Sequence, residues 1–160
     1  MSATLRIAGM YRRPRTIVRS ILDEGTREDR ALIFLVLGCL MVFVAQTPRL
    51  ARQAFLTGED LSMLLGATLM AWIFIAPLLL YLVAMLIFGI AKVLRSKMTA
   101  YGARVALFWA LLACAPVMLL WGLTAGFIGP GPEMTGTGIL WVVFFLWFFV
   151  SGLIEAAKGG

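Results

Sequence analysis

The chain has 160 residues, of which 62% are hydrophobic and only 14% are charged. Soluble domains carry about 25% charged residues, so this composition excludes a soluble globular protein and predicts one polytopic helical membrane domain. In a soluble protein the net charge of +6 would suggest nucleic acid. Here the basic residues lie beside apolar segments, so they indicate membrane topology and anionic headgroups, with no nucleic-acid partner.

Residues 1–30 form a polar arm that holds seven of the 14 basic residues. Within the arm, Pro14 suits the first turn of a helix and Gly25 suits its end. This helix, predicted over residues 14–24, has apolar residues on one face and basic residues away from it. The pattern is typical of an amphipathic helix at the membrane interface. An apolar face that packs against the protein's own spans would produce the same pattern.

Four apolar segments follow the arm, and each is long enough to cross a bilayer as a helix. The predicted spans cover residues 31–47, 61–91, 105–128 and 138–154. They place the membrane domain at residues 31–155 and a short polar tail at residues 156–160. The predicted fold class is therefore an all-α transmembrane bundle of four spans.

Prolines and glycines divide these segments. Pro48 is predicted to end the first span, which leaves residues 48–60 as a loop. Pro77 lies near the middle of the long second span and predicts a kink there, and Pro116 interrupts the third span. Alternating Gly and Pro suit neither a helix nor backbone at membrane depth, so a turn is predicted at Gly129, Pro130, Gly131 and Pro132.

The basic residues also predict the orientation of the spans. With the N-terminus in the cytoplasm, twelve Lys and Arg lie on the inner side and two, Arg49 and Arg52, lie on the outer side. The positive-inside rule therefore predicts that both termini are cytoplasmic. Trp109 and Trp121 lie towards opposite ends of the third span, as in an aromatic belt, whereas Trp147 falls deeper and is predicted to be a packing residue.

No catalytic residue, metal ligand or cofactor site is predicted. The four spans contain no Asp, Glu, Lys, Arg or His, and the whole chain has no His. Ion-coupled transport and intramembrane hydrolysis depend on such groups, so a membrane enzyme is disfavoured. Cys39 and Cys114 lie in apolar segments and are interpreted as buried packing residues. Gly122 and Gly126 form a small-x-x-x-small pattern, interpreted as packing within the monomer rather than as a dimer contact.

Basic residues next to the spans are the candidates for contact with anionic headgroups or a partner protein. For Arg49 and Arg52, pairing with Glu59 and Asp60 is favoured over a headgroup contact. The full set of candidates is Arg12, Arg13, Arg15, Arg19, Arg49, Arg52, Lys92, Arg95, Lys97 and Arg104.

Five short motifs extend over nearly the whole chain: Tyr11–Arg15, Arg27–Arg30, Pro48–Arg52, Tyr101–Arg104 and Phe127–Pro132. Together they resemble the small bacterial members of the Yip family of integral membrane proteins, a subgroup associated mainly with alphaproteobacteria. Eukaryotic members are multi-spanning proteins that bind prenylated Rab-type GTPases and take part in vesicle traffic. This chain lacks their Asp-Leu-Tyr-Gly-Pro-like motif and their fifth span. The resemblance therefore implies a fold and a membrane location rather than a partner.

Two functions are consistent with these features. The first is a non-enzymatic protein of the bacterial inner membrane, which acts through lipid and protein interaction as a membrane organiser, an accessory subunit of a larger complex or a homo-oligomer. The second is a small transporter or channel for a neutral or apolar solute, with a path opened by the helix breaks at Pro77 and Pro116.

Overall fold

The computed structural model describes residues 3–159, and its regular structure is helical. The short helices α1 (Ala3–Met10) and α2 (Pro14–Leu22) precede four long helices. The first to fourth long helices are Glu28–Thr57, Leu61–Val93, Ala100–Ile128 and Pro132–Ala157. All four are apolar and long enough to cross a membrane, which confirms the predicted architecture of four spans. Residues 1, 2 and 160, at the ends of the predicted arm and tail, lie outside the described residues.

The third long helix occupies the centre of the bundle. Of its most apolar window, 72% is buried inside the protein, against 6% for the second long helix. The predicted place of Trp109 in an aromatic belt is wrong, because this side chain lies on the central helix and is fully buried. Trp147, predicted to be a packing residue, is 44% exposed. Cys39 and Cys114 are buried and free, as predicted.

Two glycines bring the third and first long helices into backbone contact. A Cβ atom on Gly122 would lie 1.7 Å from the carbonyl oxygen of Ala45, and one on Gly126 would lie 2.4 Å from Cβ of Pro48. Helices in lipid gain little from the hydrophobic effect and associate through such close packing. The interpretation of Gly122 and Gly126 as packing within the monomer is confirmed.

Glycines also fix the fourth long helix, which runs antiparallel to the third. A Cβ atom on Gly152 would lie 3.1 Å from Cα of Ala106, and one on Gly102 would lie 3.1 Å from Cβ of Ala156. Both contacts lie at the end of the bundle where the third long helix begins. This end, which also holds the start of the first long helix, is called the basic end below.

The first long helix does not end at Pro48, so the predicted loop at residues 48–60 is wrong: the helix continues to Thr57. Pro48 has no amide to donate to the carbonyl oxygen of Val44. The hydroxyl of Thr47 donates to that oxygen instead, at 2.8 Å, as Ser and Thr do in membrane helices. The helix ends where Gly58 takes a left-handed conformation with φ of 72°.

The other two helix prolines cause local changes without ending their helices. A π-helical turn, Ala71–Ile75, ends two residues before Pro77, and the amide of Ala76 bonds to the carbonyl of Ala71. The backbone irregularity near Pro77 is this π turn, and the kink at Pro77 stays a prediction. In the third long helix, the α-helical pattern is interrupted at Cys114, two residues before Pro116.

The predicted turn at residues 129–132 is confirmed. Gly129 has φ of 93°, a conformation that favours glycine, and Pro132 begins the fourth long helix. That helix starts six residues before the predicted span because Glu133 to Thr137, predicted as loop, are helical. The third long helix likewise starts before residue 105, at Ala100, where the side chain of Thr99 caps the amide of Gly102.

We predict that Gly122→Ala separates the first and third long helices. The new methyl group meets backbone, so the free energy of unfolding falls by about 2–3 kcal/mol, measured as a lower unfolding midpoint in detergent. Gly89→Ala is the matched control, because nothing lies within 4 Å of a Cβ atom there. Equal unfolding midpoints for the two variants would contradict the role given to Gly122.

Candidate functional site

The candidate site is built on the N-terminal hairpin, which consists of α1, the corner at residues 11–13 and α2. The carboxylate of Glu24 fixes the base of the hairpin by accepting hydrogen bonds from Arg6 and Arg30. These bonds, the one from Arg6 first, lower the pKa of Glu24. The carboxylate therefore keeps its charge to a lower pH than an isolated glutamate, and its two hydrogen bonds join α1 to the start of the first long helix.

The tip of the hairpin enters the bundle beside the third and fourth long helices. The Tyr11 hydroxyl donates to the carbonyl oxygen of Ala113 at 3.0 Å. The Tyr11 ring lies edge-on to Phe148 at 5.0 Å and at a tilt to Phe144 at 5.2 Å. Ala113 ends the 14-residue first part of the third long helix, about 20 Å from its start. The Tyr11 hydroxyl thus reaches about halfway along the bundle.

The two faces of α2 differ as the sequence predicts. Val18, Ile21 and Leu22 are buried in the common core, and α2 packs on the fourth long helix, whereas Arg15 and Arg19 are exposed. The sequence leaves two interpretations of this amphipathic pattern. The structure agrees with the second, in which the apolar face of α2 packs against the protein's own spans.

A recess of about 420 Å³ opens between the start of α2 and the fourth long helix. We call it the arginine recess. One wall is polar and is formed by α2 and its N-cap residue; the other is largely apolar and belongs to the fourth long helix. The lining residues are Arg13, Pro14, Arg15, Thr16, Trp147, Val150, Ser151 and Ile154.

The arginine recess carries positive charge without a counter-charge. Among the described residues, Arg13 and Arg15, which line the recess, make no ion pair, and neither does Arg12, which lies outside the lining. The N-terminus of α2 has no side-chain cap, so its first free amides add a partial positive charge. Ser151 is only 5% exposed, and none of the described residues forms a hydrogen bond with its hydroxyl. These groups together favour an oxyanion.

An apolar groove of about 330 Å³ adjoins the arginine recess. It lies between the second and fourth long helices and shares Val150 and Ile154 with the recess. Ile90 and Leu94 form part of its other wall. A charged recess that opens beside an apolar groove matches a phospholipid, which has an anionic headgroup and apolar chains.

The remaining basic candidates at this end have separate surroundings. Lys92 lies over the ring of Phe88 at 5.2 Å, and Lys97 is exposed. Arg19 lies 4.0 Å from Asp23 at the far end of α2. The structure does not bring these residues into the arginine recess.

Arg104 and Arg95 have roles in the backbone arrangement. Arg104 pairs with Glu28 at 2.8 Å and so joins the third long helix to the first. Arg95 has φ of 55°, in the left-handed region. Its amide bonds to the carbonyl of Lys92, and that of Ser96 bonds to the carbonyl of Ala91. This is a Schellman motif with arginine where glycine is usual.

The favoured pairing of Arg49 and Arg52 with Glu59 and Asp60 is wrong. Arg49 lies 3.5 Å from the side-chain oxygen of Gln46. Arg52 donates to the carbonyl oxygens at positions 126 and 127, at 3.3 and 3.4 Å. The helix continues past Pro48, which places both arginines on a rigid helix that packs against the third long helix. Glu59 instead accepts from the side chains at positions 53 and 57, and Asp60 caps the second long helix.

Comparison with known proteins identifies no relative: no family model, curated protein or solved structure matches the chain. The four long apolar helices indicate a multi-pass membrane protein. Within residues 3–159, no three side chains of the metal-ligating type come together.

Sequence reasoning missed two parts of the site, Ser151 and the docking of Tyr11. A single serine in an apolar span has no neighbour in sequence that marks it as polar lining. Tyr11 precedes a pair of arginines, so the pattern predicts a polar corner at a membrane surface. Its partner carbonyl lies 102 positions away, and no local pattern reports such a contact.

We predict that Tyr11→Phe loosens the hairpin and that Tyr11→Ala releases it. The first variant loses one hydrogen bond, about 1 kcal/mol, and the second also loses the contacts with Phe144 and Phe148. Trypsin should therefore cut the folded protein faster after Arg12, in the order Ala, Phe, wild type; the bond after Arg13 precedes Pro14 and is not a trypsin site. Ser20→Ala, on the exposed side of α2, is the control. Unchanged cleavage in Tyr11→Ala would show that the tip is not held by this residue.

Proposed function

We propose that this chain is a non-enzymatic protein of the bacterial cytoplasmic membrane that acts by interaction. It binds anionic phospholipid in the arginine recess and serves as a membrane organiser or accessory subunit of a membrane complex. The observation that supports the proposal best is the recess itself, with its unpaired arginines, its unpartnered hydroxyl and its apolar neighbour groove. The Yip-family resemblance agrees with a membrane location and remains a prediction.

The charged residues of the first long helix support a placement of the bilayer. Arg30 and Arg49 flank a segment of 18 uncharged residues. As a helix this segment is about 27 Å long, which is close to the hydrocarbon thickness of about 30 Å. The basic end, with twelve of the 14 basic residues, then faces the cytoplasm by the positive-inside rule. Both termini lie on that side in this proposal.

The same placement puts the arginine recess at the depth of the inner headgroups. Ser151 is next to Gly152, which packs on Ala106. Ala106 is two residues from Arg104, which pairs with Glu28 at the start of the first long helix. Ser151 therefore lies within about one helical turn, or 5 Å, of the charged boundary. Arginine side chains reach headgroup phosphates from this depth.

The apolar groove extends the lipid-contact surface beside the arginine recess in this proposal. Exposed apolar side chains continue along its second-helix side, where Ile90 is 61% exposed and Leu94 is 74% exposed. Lys92, Arg95 and Lys97 follow directly in sequence and add positive charge at the same end. Each basic residue near an anionic surface contributes about 1 kcal/mol.

The role as accessory subunit rests on the uncharged spans and on the outward face of the second long helix, which is the least buried of the four. Purification of the full chain from its native membrane in mild detergent tests this part. A partner protein at fixed stoichiometry, or a homo-oligomer, would support it. A lone monomer at every protein concentration would count against it.

We predict that Arg13→Gln and Arg15→Gln each weaken binding of phosphatidylglycerol about fivefold, because each removes about 1 kcal/mol of charge interaction. Native mass spectrometry of the detergent-purified protein measures the retained lipid. Phosphatidylcholine should be retained less by the wild type and should respond less to both substitutions.

Arg27→Gln is the control for that experiment. It makes the same charge change at the same end of the protein, at an exposed residue outside the arginine recess. Val150→Trp provides a second test, because it fills the wall shared by the recess and the groove without changing charge. Equal lipid retention by Arg27→Gln, Arg13→Gln and Val150→Trp would refute the site.

We predict that Arg95→Gly separates stability from lipid binding. A left-handed residue with a side chain costs about 1 kcal/mol, so glycine raises the unfolding midpoint. The same change removes a positive charge and lowers the binding of phosphatidylglycerol vesicles in a flotation assay. Arg95→Asn, which tolerates the left-handed region better than most residues and lacks the charge, should reproduce the loss of binding. Loss of stability in Arg95→Gly would contradict this account.

A further inference from the structure

A second cavity, of about 250 Å³, lies at the end of the bundle opposite to the basic end. It opens between the first long helix and the turn at residues 129–132, and we call it the outer cavity. Arg49 and Arg52 line it from the helix, Pro130 lines it from the turn, and Leu56 and Met134 add apolar surface. We infer that the outer cavity binds a phosphate group.

The charge of the outer cavity supports this inference. Neither arginine forms an ion pair with a carboxylate of the described residues. The Nε atoms of both Arg49 and Arg52 are buried and have no hydrogen-bond partner. An unpaired cation that is half-buried is costly, and an anion in the cavity offsets that cost through its charge. Two adjacent cations that form no ion pair favour an anionic ligand, and the nearby carboxylate of Glu59 is held by Gln53 and Thr57.

The donors that remain free in this cavity belong to the arginines. Gln53 and Thr57 also line it, but their side chains donate to the carboxylate of Glu59, each at 3.0 Å. The two arginines are three positions apart, on one face of the helix. Their planar forks match the paired oxygens of phosphate, whereas a halide ion is a single atom and accepts without this geometry.

Two sources supply phosphate at this position. Phe55 is 88% exposed and Leu56 is 66% exposed, and both lie further along the first long helix than Arg52. Apolar side chains exposed beyond the arginines place the cavity at the depth of lipid headgroups, where a phospholipid phosphate is at hand. Inorganic phosphate from the aqueous side is the other source, and the cavity is large enough to admit it.

Thermal unfolding of the full chain in detergent tests the inference with two probes. Inorganic phosphate is titrated against sodium chloride of equal ionic strength. Phosphatidylglycerol is added to the Arg13→Gln, Arg15→Gln background, so that the arginine recess does not contribute. We expect one probe to raise Tm by a few degrees at saturation. We expect the Arg49→Gln variant to bind that probe with an affinity about 10-fold lower, or lower still. A response to phosphate identifies the soluble source, and a response to the lipid alone identifies the headgroup.

Arg49 is the residue to change because Arg52 also holds the turn through the carbonyls of Gly126 and Phe127. Arg49→Lys keeps the charge but loses the planar fork, so its affinity for the probe falls less than that of Arg49→Gln. If Arg49→Gln does not fold, Arg49→Lys is measured in its place. Arg27→Gln at the other end is the control for net charge. No Tm response to either probe, or a response equal in Arg49→Gln and wild type, would overturn the inference. The outcome does not depend on the arginine recess.

Discussion

Close backbone approach between helices is the constraint on which this structure depends. In lipid, apolar side chains gain nothing by leaving one hydrocarbon environment for another, so helices associate by fitting together. Gly122 against Ala45 and Gly152 against Ala106 set the spacing on two sides of the third long helix. The arginine recess and the outer cavity both lie where another segment packs against these closely spaced helices. The positions of their arginines therefore depend on the helix spacing that the glycines set.

A second feature of the bundle concerns the backbone carbonyl groups that lose their amide donor because a proline follows in the helix. In a bilayer such groups need a partner inside the protein. Thr47 supplies one beside Pro48, and a π turn adjusts the helix before Pro77. In the third long helix Pro116 leaves the carbonyl of Leu112 without its usual amide donor, and Tyr11 donates to the next carbonyl, that of Ala113. The contact that docks the N-terminal hairpin therefore lies beside an irregular part of this helix.

The sequence predicts the helical class, the four spans, the turn at residues 129–132 and the packing role of Gly122, because hydropathy and turn residues are local signals. It fails at Pro48, where a neighbouring threonine hydroxyl and the space above Gly126 keep the helix intact. It also fails for Arg49 and Arg52, whose surroundings depend on how far that helix extends. The arginine recess brings together residues 13–16 and 147–154, and no single-sequence pattern reports contacts of that separation.

The docking of the N-terminal hairpin has a consequence for how the chain is made. The hairpin is synthesised before its binding surface, which consists of Ala113 on the third long helix and Phe144 and Phe148 on the fourth. The arm therefore cannot complete its docking until the fourth long helix is in place. A docked arm signals that the third and fourth long helices have packed together.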